Sequence, residues 1–553
     1  MPKKLGPFLT GRLLEFSKEP VKYKIFLIFI VALLLRLYGL NWDQNQHLHP
    51  DERFLTMVAT DIKLPDSLMQ YFNTSASPLN PGNYPNYQFF VYGTFPLFLA
   101  KILAHIFNQD NYSQVVFWGR GLSALFDSLV VILLYFLSRK KLLPSLLYAF
   151  TVLPLQLSHF FAVDTFLNFF ILGTFTLLTY NLFIPAAIAF GLALACKISA
   201  LYFLPIIFLF LIKKPQKIFY FILTFITFRI FQPYAFTGLF QINPLFISNL
   251  KTLNSYNNPD IWYPPAVQWI SKIPLLFSFQ NIVLWGVGLP LVSIFIFSLF
   301  KIKKIKLNFI VIISLIWILF LYLYQGSQFV HTMRYFLLIY PFICLLAGYL
   351  LINFSKKAIY IFVICHLSFG FLFLNIYSRP HSRVQASDWI SLHIPSGSTI
   401  SSEYWDDALP LGYSGYQNIS LPFYDPDTPD KWEKINNSLS QIDYLIMSSN
   451  RLWGSIPRVP DKYPVTAKFY QDLFAQNLNF KKLIEINSYP GLSLSFLKNC
   501  YYLGPTNFPG IENHWFAIDS QCRYPGIYLR DDTAEEAFTV YDHPKVLIFQ
   551  QKN

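Results

Sequence analysis

The chain has 553 residues, of which 54% are hydrophobic and 13% charged, with a net charge of +13. An ordinary soluble domain is about 25% charged, so this much apolar sequence exceeds what water-soluble cores can hide and points to a multi-pass membrane protein. Disorder, collagen-like repeats and a disulfide-dense scaffold are excluded by the same composition, and the basic excess sits in short clusters between apolar runs, a membrane-topology signal rather than a nucleic-acid one.

The first apolar run, about 23–40, follows a basic head (Lys3, Lys4, Arg12, Lys18, Lys22, Lys24) and lacks a small-residue cleavage site. It reads as a signal anchor with its N-terminus in the cytoplasm. Arg139-Lys140-Lys141, Lys213-Lys214, Lys301 to Lys306 and Lys356-Lys357 are then cytoplasmic as well. This constraint makes 88–107 an interfacial or re-entrant helix within a first outer loop, 41–117. Further spans are expected at about 118–138, 142–158, 165–183, 186–196, 198–212, 217–236, 279–300, 307–326, 335–353 and 358–377. The expected fold is thus an α-helical multi-pass membrane domain of about eleven spans over residues 1–379, followed by an extracytoplasmic α/β domain over 380–553. In that tail, Ser387 to His393 reads as a short helix and Ser398 to Ser401 as a strand. Cys196, Cys344 and Cys365 are expected to be inert core residues, while Cys500 and Cys522 are open between a disulfide and free thiols.

Residues 1–379 hold only 11 acidic side chains, so their positions are informative. Asp51 and Glu52 adjoin in His47-Leu48-His49-Pro50-Asp51-Glu52-Arg53, soon after the first span. The pair is either a capped loop turn or a catalytic carboxylate that takes a proton from an acceptor hydroxyl. A metal held by His47, His49 and Glu52 is an alternative. At the next outer turn, His159 and Asp164 fall on the same predicted face, where Asp164 either caps a helix or joins the site. Lys197, Arg229 and Arg334 bring three cations to that face, and His331 precedes Arg334; such a set suits an anionic phosphate. The outer loop 237–278 adds Trp262, Tyr263 and Trp269, aromatics that serve either as membrane-belt residues or as a stacking surface for sugar or prenyl chain. Arg36 and Asp127 lie within spans and are expected to pair with each other.

These motifs together resemble the GT-C superfamily of integral-membrane glycosyltransferases, in particular the protein O-mannosyltransferase and lipid A aminoarabinose transferase branch. The resemblance is carried by His49-Pro50-Asp51-Glu52, by His159 to Asp164, by Gly191 to Lys197, and by Arg334-Tyr335 leading to Tyr340-Pro341. It implies a polyprenyl-phosphate sugar donor, a hydroxyl acceptor (protein, lipid or glycan), and transfer with inversion. On that footing Asp51 is the catalytic base with Glu52 beside it, Lys197, Arg334 and Arg229 attend the donor phosphate, and His49, His159, Asp164, His331, Trp262, Tyr263 and Trp269 contact substrate. Phe54 stands where the family often has an arginine, so no role is carried over to Arg53. The outer membrane loops contain no Asp-any-Asp motif, which argues against a required metal; no other cofactor and no nucleic-acid partner is implied. The tail, including Ala534-Glu535-Glu536 and Tyr541-Asp542-His543-Pro544, is similar to an outer domain of some bacterial members, which implies a bacterial plasma membrane. The competing class is a transporter or flippase for a lipid-linked or anionic substrate, whose charges should lie near mid-membrane.

Overall fold

A computed structural model describes residues 20–261, 263–301, 308–520 and 522–552. The basic head before residue 20, most of the Lys301 to Lys306 cluster and Trp262 lie outside the described residues. Among the described residues, four helical stretches are long and apolar enough to cross a membrane: Tyr112–Leu137, Phe309–Gly326, Met333–Leu351 and Lys356–His393. A fifth crossing is made if Leu276–Gly286 and Leu289–Leu299, bent by 110° at their junction, are one span. The expected count of about eleven is therefore not met by length and composition. Several expected spans are short or broken helices. The run expected at 142–158 is Leu143–Ala149 and Val152–Leu157, interrupted at Thr151, and the run at 198–212 opens with a 3-10 turn, Ile198–Phe203. Thr94–Ile106 has 13 residues, about 20 Å of helix at 1.5 Å per residue, well short of a bilayer core.

Two polar features hold these helices together. Arg36 and Asp127 form the expected buried ion pair at 2.6 Å, and Tyr148 and Asn168 extend it as a hydrogen-bonded chain. Helices Val163–Thr179 and Phe183–Cys196 form a tight antiparallel hairpin, which returns the chain to the face it left and places Asp164 beside Lys197. Cys196 and Cys344 are buried as expected, but Cys365 is exposed, because its position on Lys356–Leu374 faces away from the bundle.

The tail carries two sheets. The first has the order β2-β1-β3-β9-β4, from β1 (Thr399–Glu403), β2 (Gln417–Leu421), β3 (Tyr444–Met447), β4 (Phe480–Ile486) and β9 (Val546–Gln551). β1 runs parallel to β2 and β3, and β9 is antiparallel to β3 and β4. β3 is apolar at every position because both its faces are covered: Leu445 and Met447 pack into one core, Tyr444 and Ile446 into another. The second sheet has the order β5-β8-β6-β7, from β5 (Gly491–Ser493), β6 (Cys500–Leu503), β7 (Phe516–Asp519) and β8 (Gly526–Leu529). A disulfide joins Cys500 and Cys522. The helix expected at 387–393 starts earlier, at Ser382, because the His381 side chain caps the Arg383 N–H. Both sheets lie beyond residue 398, and Ala534 and Phe538 pack into the core of the helical region, so the end of the tail returns to it.

Candidate active site

The helix Pro50–Asp61 starts where the sequence provides a proline at its first position, a residue that needs no N–H there. His49 caps it: its Nδ1 accepts the Glu52 N–H at 3.4 Å. Asp51 and Glu52 thus occupy the first turn, where the helix dipole favours negative charge. Adjacent residues project about 100° apart around a helix, and here the two carboxylates have opposite fates.

Glu52 is fully buried. Its Oε1 and Oε2 lie 2.5 and 2.9 Å from the Arg120 guanidinium, and Oε2 also accepts the Phe161 N–H at 2.7 Å. Arg120 closes a second fork on Asp43, at 2.7 and 3.0 Å. Both oxygens of Glu52 are therefore engaged, by one arginine and one backbone donor.

Asp51 faces the other way and pairs with Arg334; their side chains are 18% and 21% exposed. Burial pushes the Asp51 carboxyl up, but Arg334, then His49 and Lys197, outweigh it and hold the group down at about 2. The Tyr92 hydroxyl also hydrogen-bonds to Asp51. A second, partly open pair lies alongside: Lys197 Nζ sits 2.8 Å from Asp164 Oδ1. The Tyr335 ring links the two pairs, with Lys197 Nζ 4.8 Å and the Arg334 guanidinium 5.6 Å from its centre. Asp51, Asp164, Lys197 and Arg334, drawn from four separate segments, thus form one cluster.

Local backbone fixes the approach. The Gly93 N–H donates to Cys196 O at 2.9 Å, and a Cβ at 93 would lie 2.0 Å from Ala195 O. Only glycine admits this contact, which holds Tyr92 beside the end of the helix that delivers Lys197. On the opposite side, Glu535 Oε2 accepts the Met333 N–H at 2.5 Å, and Asn281 Oδ1 receives the Glu535 N–H at 2.8 Å. The tail therefore grips the residue next to Arg334. A small, mostly apolar cavity of about 10 Å³, room for one water, lies beside Arg334 and Glu535, with Leu153, Phe160 and Phe538 among its lining. Burial raises the Glu535 carboxyl to about 7.

The remaining expected residues divide. His49 is buried between the rings of Phe160 and Tyr541, both 4.5 Å away, and burial lowers it to about 4. Tyr263 stacks on Tyr256 at 4.5 Å and lies within electrostatic reach of Asp51 and Arg334. Others sit elsewhere. His159 approaches the carbonyls of Leu155 and Tyr38 at 2.7 and 3.1 Å and stacks on Tyr377 at 3.7 Å, so it is an internal brace. Arg229 packs between the rings of Phe72 and Phe236 and donates to Gly238 O at 3.2 Å; a common outer face did not imply a common cluster. His331 turns Nδ1 to the carbonyls of Phe329 and Gln328 and sits against buried Trp269.

Arg120 and Tyr92 have no role in the sequence reading, Tyr335 enters it only as part of the Arg334-Tyr335 motif, and the contact of Glu535 with Met333 is not foreseen. Arg120 is legible as a charge in the expected span 118–138. Nothing local marks Tyr92 or the Glu535 contact.

No family model matches the chain, and no curated protein matches it. Among solved structures it is similar to the archaeal oligosaccharyltransferase AglB from Archaeoglobus fulgidus in complex with an inhibitory peptide and a dolichol-phosphate, at 13% identity and a TM-score of 0.47, covering 81% of this chain and 72% of that one. It is also similar to ArnT from Cupriavidus metallidurans bound to undecaprenyl phosphate, at 10% identity and a TM-score of 0.41, covering 84% and 96%. The Archaeoglobus fulgidus oligosaccharyltransferase in complex with zinc and sulfate is a further match, at 14% identity and a TM-score of 0.42, covering 80% and 71%.

The donor set here does not fit a divalent ion. Asp51 is paired with Arg334 and Asp164 with Lys197, and Glu52 and Asp43 share Arg120. The alternative ligands His47, His49 and Glu52 do not converge: the His47 ring stacks on Tyr112 at 4.2 Å, and Nδ1 of His49 is turned to a backbone N–H. Among the described residues no group of three or more His, Cys, Asp or Glu side chains could hold a metal.

Proposed function

We propose that the chain moves a sugar from a polyprenyl-phosphate donor to a hydroxyl acceptor at the outer membrane face. The observation that carries this reading is the pairing of Asp51 and Asp164 with two partly open cations around Tyr335, next to a fully sealed Glu52. In this reading Asp51 is the general base and Lys197 and Arg334 meet the donor phosphate. The acceptor oxygen attacks the anomeric carbon from the side opposite the phosphate, its proton passes to Asp51, and the bond from the anomeric carbon to the phosphate oxygen breaks with inversion. Negative charge grows on the leaving phosphate, where fixed cations stabilise the transition state more than the ground state.

The ion pair supplies the timing. An Asp51 held near 2 by Arg334 is ionised but a weak base. A phosphate that draws the Arg334 fork away removes the main influence lowering Asp51, while burial still raises it, so donor binding makes Asp51 a better proton acceptor. Glu52 holds the helix N-terminus against Arg120 and Phe161 and takes no part in proton transfer. The topology belongs to the same proposal, with the N-terminus cytoplasmic, about eleven crossings and the tail outside a bacterial plasma membrane. The test is direct. Purified protein given a labelled polyprenyl-phosphate sugar should release free polyprenyl phosphate in an acceptor-dependent manner; transfer of intact donor across the bilayer with no cleavage would replace this reading with a flippase.

A further inference from the structure

The second sheet of the tail presents two apolar rows on one face. Pairing sets Leu492 opposite Ile527, Ile527 opposite Tyr501, and Tyr501 opposite Ile518; the next row sets Leu529 opposite Leu503 and Leu503 opposite Phe516. Side chains two apart on a strand share a face, so these seven belong together. The other face is covered: Cys500, Tyr502 and Tyr528 are buried with Tyr489 in a small core. On the apolar face, Phe516 is 52% exposed, Ile518 54% and Leu492 46%. Contiguous large apolar side chains in contact with water are unfavourable on a soluble domain and mark a surface that is covered by something else.

The position of the sheet says what covers it. Leu529, at the end of one apolar row, lines a small apolar cavity with Phe369, Leu372 and Phe373 of Lys356–Leu374, a helix long and apolar enough to cross a membrane. Pro490, next to β5, lines the same cavity. Arg379, which follows that helix, lies with its guanidinium 5.2 and 5.0 Å from the ring centres of Tyr524 and Tyr528, tying the sheet to the end of the helix. The sheet therefore abuts the end of a helix whose Ile361, Ile364 and Phe371 are exposed. Trp515, 70% exposed, borders β7, as indole rings do at a lipid–water boundary.

We infer that the Leu492, Ile527, Tyr501, Ile518, Leu503 and Phe516 face of the second sheet lies on the outer leaflet, buried among lipid headgroups and upper acyl chains. This contact is separate from the transfer chemistry. It fixes the height of the tail, whose other end places Glu535 against Met333.

The test uses the full chain in nanodiscs of phosphatidylethanolamine and phosphatidylglycerol, with Cys365→Ser as background. Environment-sensitive fluorophores are attached at Leu503→Cys, Ile518→Cys and, for comparison, Lys434→Cys on the exposed helix Pro429–Leu439. The first two should lose most of their emission to brominated acyl chains and little to aqueous iodide; the third should do the reverse. Iodide quenching of all three alike overturns the inference. Protection from both quenchers, with cross-linking between chains through position 518, also overturns it in favour of a second copy as the covering partner. The unsubstituted chain provides a check free of folding effects: a diazirine on the lipid headgroup should mark residues 515–529, and absence of label there overturns the inference.

Discussion

Arg334 and Asp51, 283 residues apart, share an ion pair at the mouth of the helical region, while Glu52, the neighbour of Asp51, is sealed against Arg120. One helical turn thus gives one carboxylate that a substrate can reach and one that it cannot.

Asp51→Asn and Glu52→Gln should therefore fail in different ways. Asp51→Asn keeps the side-chain size and removes the proton acceptor, so single-turnover rate should fall by about 10²–10⁴-fold, with only a modest loss of stability because the Asp51–Arg334 pair is partly open to water. Glu52→Gln leaves Arg120 its fork on Asp43 but removes one charge-assisted bond from the buried start of the helix, a loss of about 1.5–3 kcal/mol. Its signature is a lower unfolding midpoint. Near-normal turnover in Asp51→Asn would remove Asp51 from the base role.

Lys197→Ala and Arg334→Ala should weaken binding of polyprenyl phosphate by about 1.5–3 kcal/mol each, the range for a hydrogen bond to a charged group. Arg334→Ala has a second effect, because Asp51 loses the partner that holds it near 2. The acid limb of the kcat/KM profile, which reports the enzyme before the donor binds, should move upward in Arg334→Ala and stay in place in Arg229→Ala. Titration by tritiated lipid binding and stopped-turnover rates separates the two effects; an Arg229→Ala defect equal to that of Arg334→Ala would put the phosphate elsewhere.

Activity should survive exhaustive chelation, because each candidate carboxylate already has a side-chain cation where a metal would sit. Loss of turnover on chelation, restored by manganese or zinc, would show that Arg334 and Lys197 give way to a metal when substrate binds.

Much of the site was legible because a multi-pass chain has few acids to place. Once basic clusters fix the sides, Asp51, Asp164, Lys197 and Arg334 fall on one face, and the structure brings these four together. Sidedness gives depth but no lateral position, which is why Arg229 was included and lies apart between Phe72 and Phe236. Sequence also could not separate Asp51 from Glu52, since the difference is which neighbouring helix each one faces, and Arg120 is 68 residues from Glu52. His159 reads as a ligand in any loop, yet two backbone carbonyls flank it. The strand expected at Ser398 to Ser401 is β1, Thr399–Glu403, whereas the span count was not legible. Helices packed inside a bundle need neither full length nor straightness, as the 110° bend between Gly286 and Leu289 illustrates.

The clasp between tail and helices should be pH-sensitive through His543. Its ring lies between two carboxylates, hydrogen-bonded to Asp542 and, at 2.6 Å, to Asp531. Asp542 also accepts from Gln156 and Tyr377, each at 2.9 Å, so the same carboxylate bonds the helical region. Burial lowers the affinity of the imidazole for a proton, but Asp542 and then Asp531 outweigh it and raise the group to about 10. A histidine raised on folding contributes stability that is complete below its unfolded value, about 6.5, and is lost as pH rises through the folded value. The unfolding midpoint should therefore decline between about pH 6.5 and 10 in the unsubstituted chain, through this group. His543→Gln has no proton to lose and leaves Asp531 and Asp542 buried with a neutral neighbour. It should start lower at neutral pH and show a flatter decline over the same window. A slope as steep as that of the unsubstituted chain would mean that His543 is neutral in the fold, and that the clasp rests on Gln156 and Tyr377 alone.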